Sequence, residues 1–466
     1  MTTRWRAAVE KELKGASIDS LVATLPGGLR IDPLYEDRPS PPVPRPFPES
    51  SASHAPGPGH VGATGRFRVG ALLADTTTMA EMRAWLDAEA RGGTEAILVE
   101  PEVCADPRFP HLLDSLPPKE VALHASVGAS VAAASSFASW AAGRGDEVST
   151  FGLDPIGAYA RDGSPEPGQI DWRAIGAFAA EASGRPLLVS AEPYHDAGAD
   201  PASELAYALS TTAEMLRRLE QPAALVTRRL TWRFAVGREL LAEIAKLRAA
   251  RVLWRKLSVA CHLDDVDPGY LVAVTSSRTL SRRDPWVNAL RGTTQAFAAI
   301  VAGADVIAVR PYDSALGVPD SQARRLARNT LLVLRHESRL DEVLDPARGA
   351  YAIEHLTDRL ARSAWDRFRS IERDGGMIAR LRTGTVKDEL AARWDEWLAG
   401  FGDKRFPIIG VTEFPNEAER PLTRALRQTL ASSLPDRPCP LPRHRDAAAF
   451  ERAVTSADGS MEWAKP

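Results

Sequence analysis

The sequence predicts an α/β fold closed as a (β/α)8 barrel, and three of its features carry that expectation. Short apolar stretches recur from Phe67 onward, at 67–73, 95–100, 120–125, 149–153, 186–190, 228–234, 270–275 and 305–310. Helix-period stretches separate successive ones and follow the last, and alternating βα units imply parallel strands. No glycine-rich phosphate loop stands where an open doubly wound sheet would place one, so the eight units are better closed into a barrel.

Taken in order, residues 1–38 form an arm. Trp5, Val9 and Leu13 share one face of a helix that Gly15 stops, and 29–35 is short and extended. Such an element has no core of its own and must bury its stripe elsewhere. Residues 39–66 form a linker in which eight prolines fall between Pro39 and Pro58, which excludes helix and central strand and predicts an extended tether. Gly57, Gly59 and Gly62 satisfy GxGxxG there. A dinucleotide site needs a strand before those glycines and a helix after them, whereas Pro-rich sequence precedes and a strand follows.

The barrel is expected over 67–414, and its last two units are the most legible. Leu271 to Val274 is an apolar, β-branched run ending in Thr275, Ser276 and Ser277. Asp284-Pro285 then opens a helix that buries Val287, Leu290, Ala298 and Ile300 before Gly303 stops it. A second buried strand, 305–309, ends in Arg310, Pro311, Tyr312 and Asp313, and Pro319-Asp320 opens a helix through Leu326, Leu331 and Leu334. Both polar loops follow the carboxyl end of a strand, where α/β barrels keep their chemistry. Residues 350–400 read as helix, 406–411 as one more short strand, and 415–466 as a polar, Arg- and Pro-rich tail.

Composition excludes several classes. With 466 residues, 44% hydrophobic content and a mean hydropathy of −0.21, the chain buries a large core. A net charge of −3 and a pI near 6.4 give no long-range attraction to nucleic acid or anionic lipid. No run of about eighteen apolar residues occurs, and the N-terminus alternates charges, so a cytoplasmic location is expected. Cys104, Cys261 and Cys439 lie too far apart for a disulfide framework or a zinc site, and no metal is expected.

The segments TSSRTLSRRDPWVNALRGTTQAFAA from Thr275, ADVIAVRPYDSALGVPDSQARRLARNT from Ala304 and HESRLDEVLDPARGAYAIEHLTD from His336 resemble the acyl-CoA-binding barrel of the methylmalonyl-CoA mutase family. Those cobalamin-dependent enzymes isomerise acyl-CoA thioesters. Trp5, the EKELKG run at 10–15 and Ile31-Asp32-Pro33-Leu34-Tyr35 resemble the family's opening, which implies that the arm packs on a partner. The family's cobalt-ligating histidine sits in Asp-x-His-x-x-Gly on a flavodoxin-like domain, and no histidine here has Asp two places before it. The resemblance therefore places adenosylcobalamin on another chain.

Catalytic family members carry a Tyr-His pair thought to hydrogen-bond the migrating thioester carbonyl. Tyr194 and His195 are the candidates here, but alignment on Asp196-Ala197-Gly198-Ala199 puts them about two positions late. That shift favours a polar loop histidine over a catalytic one. Val272 and Val274 stand where catalytic members carry His and Gln, and residues 39–66 lack the family's Arg-, Tyr- and Gly-containing approach to the first strand. Arg229 and Thr231 match the strand whose Arg and hydroxyl touch the CoA portion, and an Arg capping a strand end is the other reading. These departures resemble the family's small subunit, a non-catalytic barrel chain supporting a large catalytic subunit. The alternative is the substrate-binding chain of a split mutase, completed by a separate cobalamin-binding subunit. In a non-catalytic chain, Val272 and Val274 are expected to face inward and close the axis along which catalytic members thread pantetheine.

Overall fold

The computed structural model describes residues 2–25, 27–37, 39, 67–74, 78–106, 108, 111, 121–143, 149–263, 269–402, 405–424, 439–451, 453–455 and 461–463. Gly57, Gly59 and Gly62, with most of the expected linker, lie outside them. No helix among the described residues is long and apolar enough to cross a membrane.

A two-stranded antiparallel hairpin, β1 (Ala23–Leu25) and β2 (Leu29–Ile31), precedes the barrel. The barrel strands are β3 (Arg68–Leu73), β4 (Ala96–Val99), β5 (Ala122–Ala125), β6 (Thr150–Leu153), β7 (Arg185–Ser190), β8 (Leu230–Val236), β9 (Tyr270–Thr275) and β10 (Val306–Ala308). They pair in parallel, in chain order, and β10 closes onto β3. All eight expected strands are present, because a run buried on both faces is predominantly apolar.

Register then decides which parity faces the axis. Arg233 pairs with Val272, and Val272 with Val306. Leu72, Ala96, Leu98, Ala122, Tyr270, Val272, Val274, Val306 and Ala308 form an apolar cluster of their own. Ile97, Leu123, Ala273 and Ile307, of the opposite parity, pack with the surrounding helices instead. The inward placement of Val272 and Val274 is borne out, at 2% and 0% exposure.

Short polar side chains hold the helix starts. Thr78 and Glu81 form a reciprocal capping box, and Asp154, Asp171, Asp200 and Asp320 each accept from a backbone N–H in the first turn of the helix they precede.

Several local expectations need correction. The helix after Asp284-Pro285 begins at Val287, and Leu290 is 68% exposed beside an exposed Trp286. Leu326 is likewise exposed, although Leu331 and Leu334 are buried. Residues 406–411 form no strand: Ile409 makes an isolated bridge to Glu413 around Gly410, whose φ of +81° breaks an extended run. The expected strand at 228–234 starts at Leu230, because Ala223–Arg229 continues a helix. Part of the presumed polar tail is core. Leu441 N donates to Ala160 O, Asp446 N donates to Arg278 O, and Cys439, Leu441 and Ala447 are buried.

The arm divides in two. No residue of 4–12 in the first helix, Thr2–Glu12, is buried. The later part lies on the chain's own helix Tyr351–Arg373: Arg359 donates to Arg30 O at 2.7 Å and pairs with Asp32 at 2.9 Å, and Tyr35 packs on His355. Between β1 and β2, Gly27 has φ +80°, and a Cβ there would stand 2.7 Å from Asp200 Cγ. Gly27→Ala is therefore expected to destabilise the docked hairpin by about 1–3 kcal/mol, read as faster proteolysis of the arm with the barrel's denaturation midpoint unchanged.

Candidate functional site at the barrel mouth

Polar side chains gather at the carboxyl ends of the strands, on both sides of the axis. Glu100 follows β4, Glu192 follows β7, Arg233 lies on β8 and Arg310 follows β10. Arg233 pairs with Glu100 at 2.6 Å and Glu192 at 2.5 Å, and Arg310 with Glu192 at 2.8 Å. Three strands separate β4 from β8 in either direction around the barrel, so the Arg233–Glu100 pair crosses the axis. Burial alone would push the Glu100 carboxyl up, but the guanidinium groups of Arg233 and Arg310 outweigh it and hold it at about 2. Glu192 is displaced upward, first by burial and then by Glu100.

A second pair crosses the axis elsewhere. His124 on β5 and Tyr270 on β9 also stand three strands apart, and their rings stack with centroids 6.0 Å apart and planes 9° from parallel. Arg185 lies over the Tyr270 ring at 5.0 Å. Between them, the valines of β9 and β10 fill the interior as an ordinary barrel does.

The structure separates the candidate site residues. Tyr194 and His195 sit at the mouth, on the short helix Glu192–Asp196, both 1% exposed. The loop position expected for His195 is thus corrected: its turn is helical and packed. His195 Nδ1 lies 2.8 Å from Glu204 Oε1 and Nε2 lies 2.7 Å from Ser276 Oγ. Glu204 also meets Lys246, which pairs with Glu243. With both ring nitrogens engaged inside the protein, His195 has none to offer a substrate carbonyl. Tyr194 packs its ring on Tyr207 at 5.0 Å, and burial holds its hydroxyl protonated.

Arg229 and Thr231 lie at the opposite end of the barrel, where β8 begins. Arg229 Nη1 donates to Ala182 O, and to Gly184 O at 2.9 Å, which closes the end of the helix Trp172–Glu181. Thr231 is fully buried.

Sequence reasoning missed Glu100, Glu192, Arg233, Glu204 and Lys246. Two signals were available: Arg233 interrupts the apolar run LTWRFAV, and Glu100 closes the run AILV. A charge on a strand buried on both faces needs a partner across the barrel. Sequence alone does not say which.

Burial sets a pH dependence. His124 and His195 are both pushed down to about 3, mainly by burial and then by nearby cations. A depressed histidine keeps its neutral form on folding, so its contribution is complete above the unfolded value near 6.5 and declines as pH falls below that. Stability is expected to drop by roughly 1.4 kcal/mol per pH unit for each histidine between pH 6 and pH 4. Urea denaturation should show His195→Gln with a shallower slope than the parent; an equal slope would remove His195 as a cause.

The methylmalonyl-CoA mutase family profile matches residues 111–458. The methylmalonyl-CoA mutase small subunit of Streptomyces virginiae is 41% identical over 329 residues, covering 69% of this chain and 52% of that protein. The small subunit of Propionibacterium freudenreichii subsp. shermanii is 34% identical over 332 residues, covering 68% of this chain and 50% of that protein. The methylmalonyl-CoA mutase of Rhizobium meliloti is 32% identical over 241 residues, covering 50% and 34% respectively. The aligned part of this chain spans about half the length of the first two.

Proposed function

The chain belongs to the methylmalonyl-CoA mutase family, and from that premise we propose that it is the non-catalytic barrel subunit of a mutase interconverting (R)-methylmalonyl-CoA and succinyl-CoA. One observation carries the reading: the axis that would receive pantetheine is crossed by Arg233–Glu100 and by His124–Tyr270. The engagement of His195 by Glu204 and Ser276 supports it. A substrate-binding chain completed by a separate cobalamin-binding protein needs that axis open. Arg229, closed onto backbone carbonyls, and Thr231, inside the barrel, serve the fold rather than CoA binding.

Adenosylcobalamin is assigned to the partner, a large catalytic subunit. At the mouth, His195 has both ring nitrogens engaged by Glu204 and Ser276, so it does not suit a cobalt ligand. No step of the isomerisation is routed through this chain. Its role is to support the partner's fold, and the first helix, with Trp5, Val9 and Leu13 left without a core, is the segment that reaches it.

Two measurements test this. The isolated chain is expected to leave the spectrum of adenosylcobalamin unchanged and to show no mutase activity, whereas co-expression with a large subunit yields an active complex. Removing residues 2–12 should weaken that complex at least about tenfold without changing the barrel's unfolding midpoint. Stoichiometric cobalamin binding by the chain alone would refute the subunit assignment, and unchanged association would refute the arm.

A further inference from the structure

Outside the barrel, a cavity of about 110 Å3 lies where the helices Pro201–Arg218, Tyr351–Arg373, Met377–Thr383 and Thr385–Gly402 meet. Its lining is cationic. Arg367, Arg380 and Arg393 stand there against a single carboxylate, Glu389, and Ala206, Ile371 and the Tyr207 ring supply what apolar surface there is.

Two of these arginines are anchored at one nitrogen and open at the others. Asp200, which caps the helix Pro201–Arg218, accepts from Arg367 Nη1 at 2.6 Å and also from Arg393 Nη1. Arg367 Nη1 reaches Ser203 Oγ as well, at 2.7 Å. Nε and Nη2 of both arginines have no hydrogen-bond partner among the described residues, and with side chains 28% and 29% exposed these nitrogens are open to solvent. Arg380 Nη2 meets Glu389, whose other oxygen accepts from Tyr207 at 3.1 Å. Three guanidinium groups thus share two carboxylates, Asp200 and Glu389. Asp374, 3.5 Å from Arg380, and Glu396, on the helix of Arg393, are exposed and screened by water. Glu372 is committed to Arg217 and Ser210. Burial displaces the Arg367 and Arg393 pKa downward, as it does for cations whose counter-charge is incomplete.

We propose that this cavity binds a phosphoryl oxyanion, either inorganic phosphate or the phosphate end of a small monoester, on Arg367, Arg393 and Arg380 with the Ser370 hydroxyl beside them. Guanidinium donors from three helices suit a tetrahedral ion, whose oxygens point in several directions, better than a planar carboxylate, which a single fork satisfies. With so little apolar wall, a ligand carrying an alkyl tail gains nothing here. A volume of about 110 Å3 is several times the roughly 30 Å3 of one water, room for a phosphoryl group. A bound anion would tie the helices Met377–Thr383 and Thr385–Gly402 to Tyr351–Arg373, so occupancy stabilises that corner.

The test is calorimetric titration of the full chain with inorganic phosphate, glycerol phosphate and acetate at constant ionic strength, with melting curves on the same samples. Phosphate and the monoester are expected to bind saturably and to raise the melting temperature, with acetate at least about tenfold weaker. Tighter binding of the monoester assigns the site to a phosphorylated small molecule and tighter binding of phosphate to the free ion; either result upholds the site. Arg367→Gln is expected to weaken phosphate binding roughly tenfold to a hundredfold. Ser370→Asp, at a half-buried position on the lining, leaves the three arginines in place and supplies them with a carboxylate. It is expected to abolish phosphate binding, and it decides the matter if Arg367→Gln does not fold. No saturable binding of either phosphate compound, acetate binding as tightly as phosphate, or phosphate binding unchanged in both variants would each overturn the proposal.

Discussion

Lys246→Met is expected to destabilise the chain by about 3–5 kcal/mol, the range for removing one partner of a buried ion pair. Lys246 is 0% exposed, and its ammonium meets Glu204 at 2.9 Å, Glu243 at 2.7 Å and the Ala235 carbonyl at 2.7 Å. Burial alone would lower its pKa, yet the two carboxylates raise it. A cation raised in this way stabilises the fold throughout neutral pH and loses that contribution only when the solution is more alkaline than its unfolded value. Methionine conserves the stem but leaves two carboxylates facing each other, with Glu204 already displaced upward by burial. The variant is therefore expected to recover part of its stability on acidification from pH 8 to pH 6, where the carboxyls take up protons. Lys246→Met with Glu204→Gln should be more stable than Lys246→Met alone. A loss below about 1 kcal/mol, the ordinary value for an exposed pair, would show that Lys246 is not the group holding this corner together.

Arg233→Leu is expected to act at the mouth with a similar magnitude, about 3–5 kcal/mol. Arg233 is 4% exposed, and its removal leaves Glu100 and Glu192 sharing only Arg310, which is 3.8 Å from Glu100. Glu100, held near 2 against the push of burial by Arg233 first, contributes stability that is present above about pH 4.5 and lost as pH falls toward 2. In the variant that acid-side loss is expected to move to higher pH, visible in a pH series of denaturant midpoints. Adding Glu100→Gln and Glu192→Gln removes the unpaired charges, so the triple variant should be more stable than Arg233→Leu. It is also expected to gain no mutase activity, because His124 and Tyr270 still cross the axis. Activity in the isolated triple variant would mean that the mouth network alone closes a competent site.

Which elements were legible follows from how each is held. The eight strands were, because burial on both faces leaves runs that are mostly apolar, with His124 and Arg233 as buried polar exceptions. Leu290 was not: its spacing fits a buried helix face, yet the helix starts later than Pro285 implies and turns that position outward. Residues 439–451 were misread because Pro- and Arg-rich composition looks like tail, although backbone bonds to Ala160 and Arg278 fix the segment to the barrel. The shift at Tyr194-His195 was visible as a count of residues. Its consequence was not, since Glu204, Ser276 and Lys246 lie 9 to 81 residues from His195 along the chain.

By itself the sequence determined the barrel, its strand count and its family, because hydrophobic period, loop chemistry and motif order are local properties that survive without coordinates. Tertiary structure alone decided that the axis is crossed. Glu100 and Arg233, like His124 and Tyr270, meet only when a parallel sheet closes and brings opposite strands within reach. Closure is a long-range event, and register sets which charge faces which.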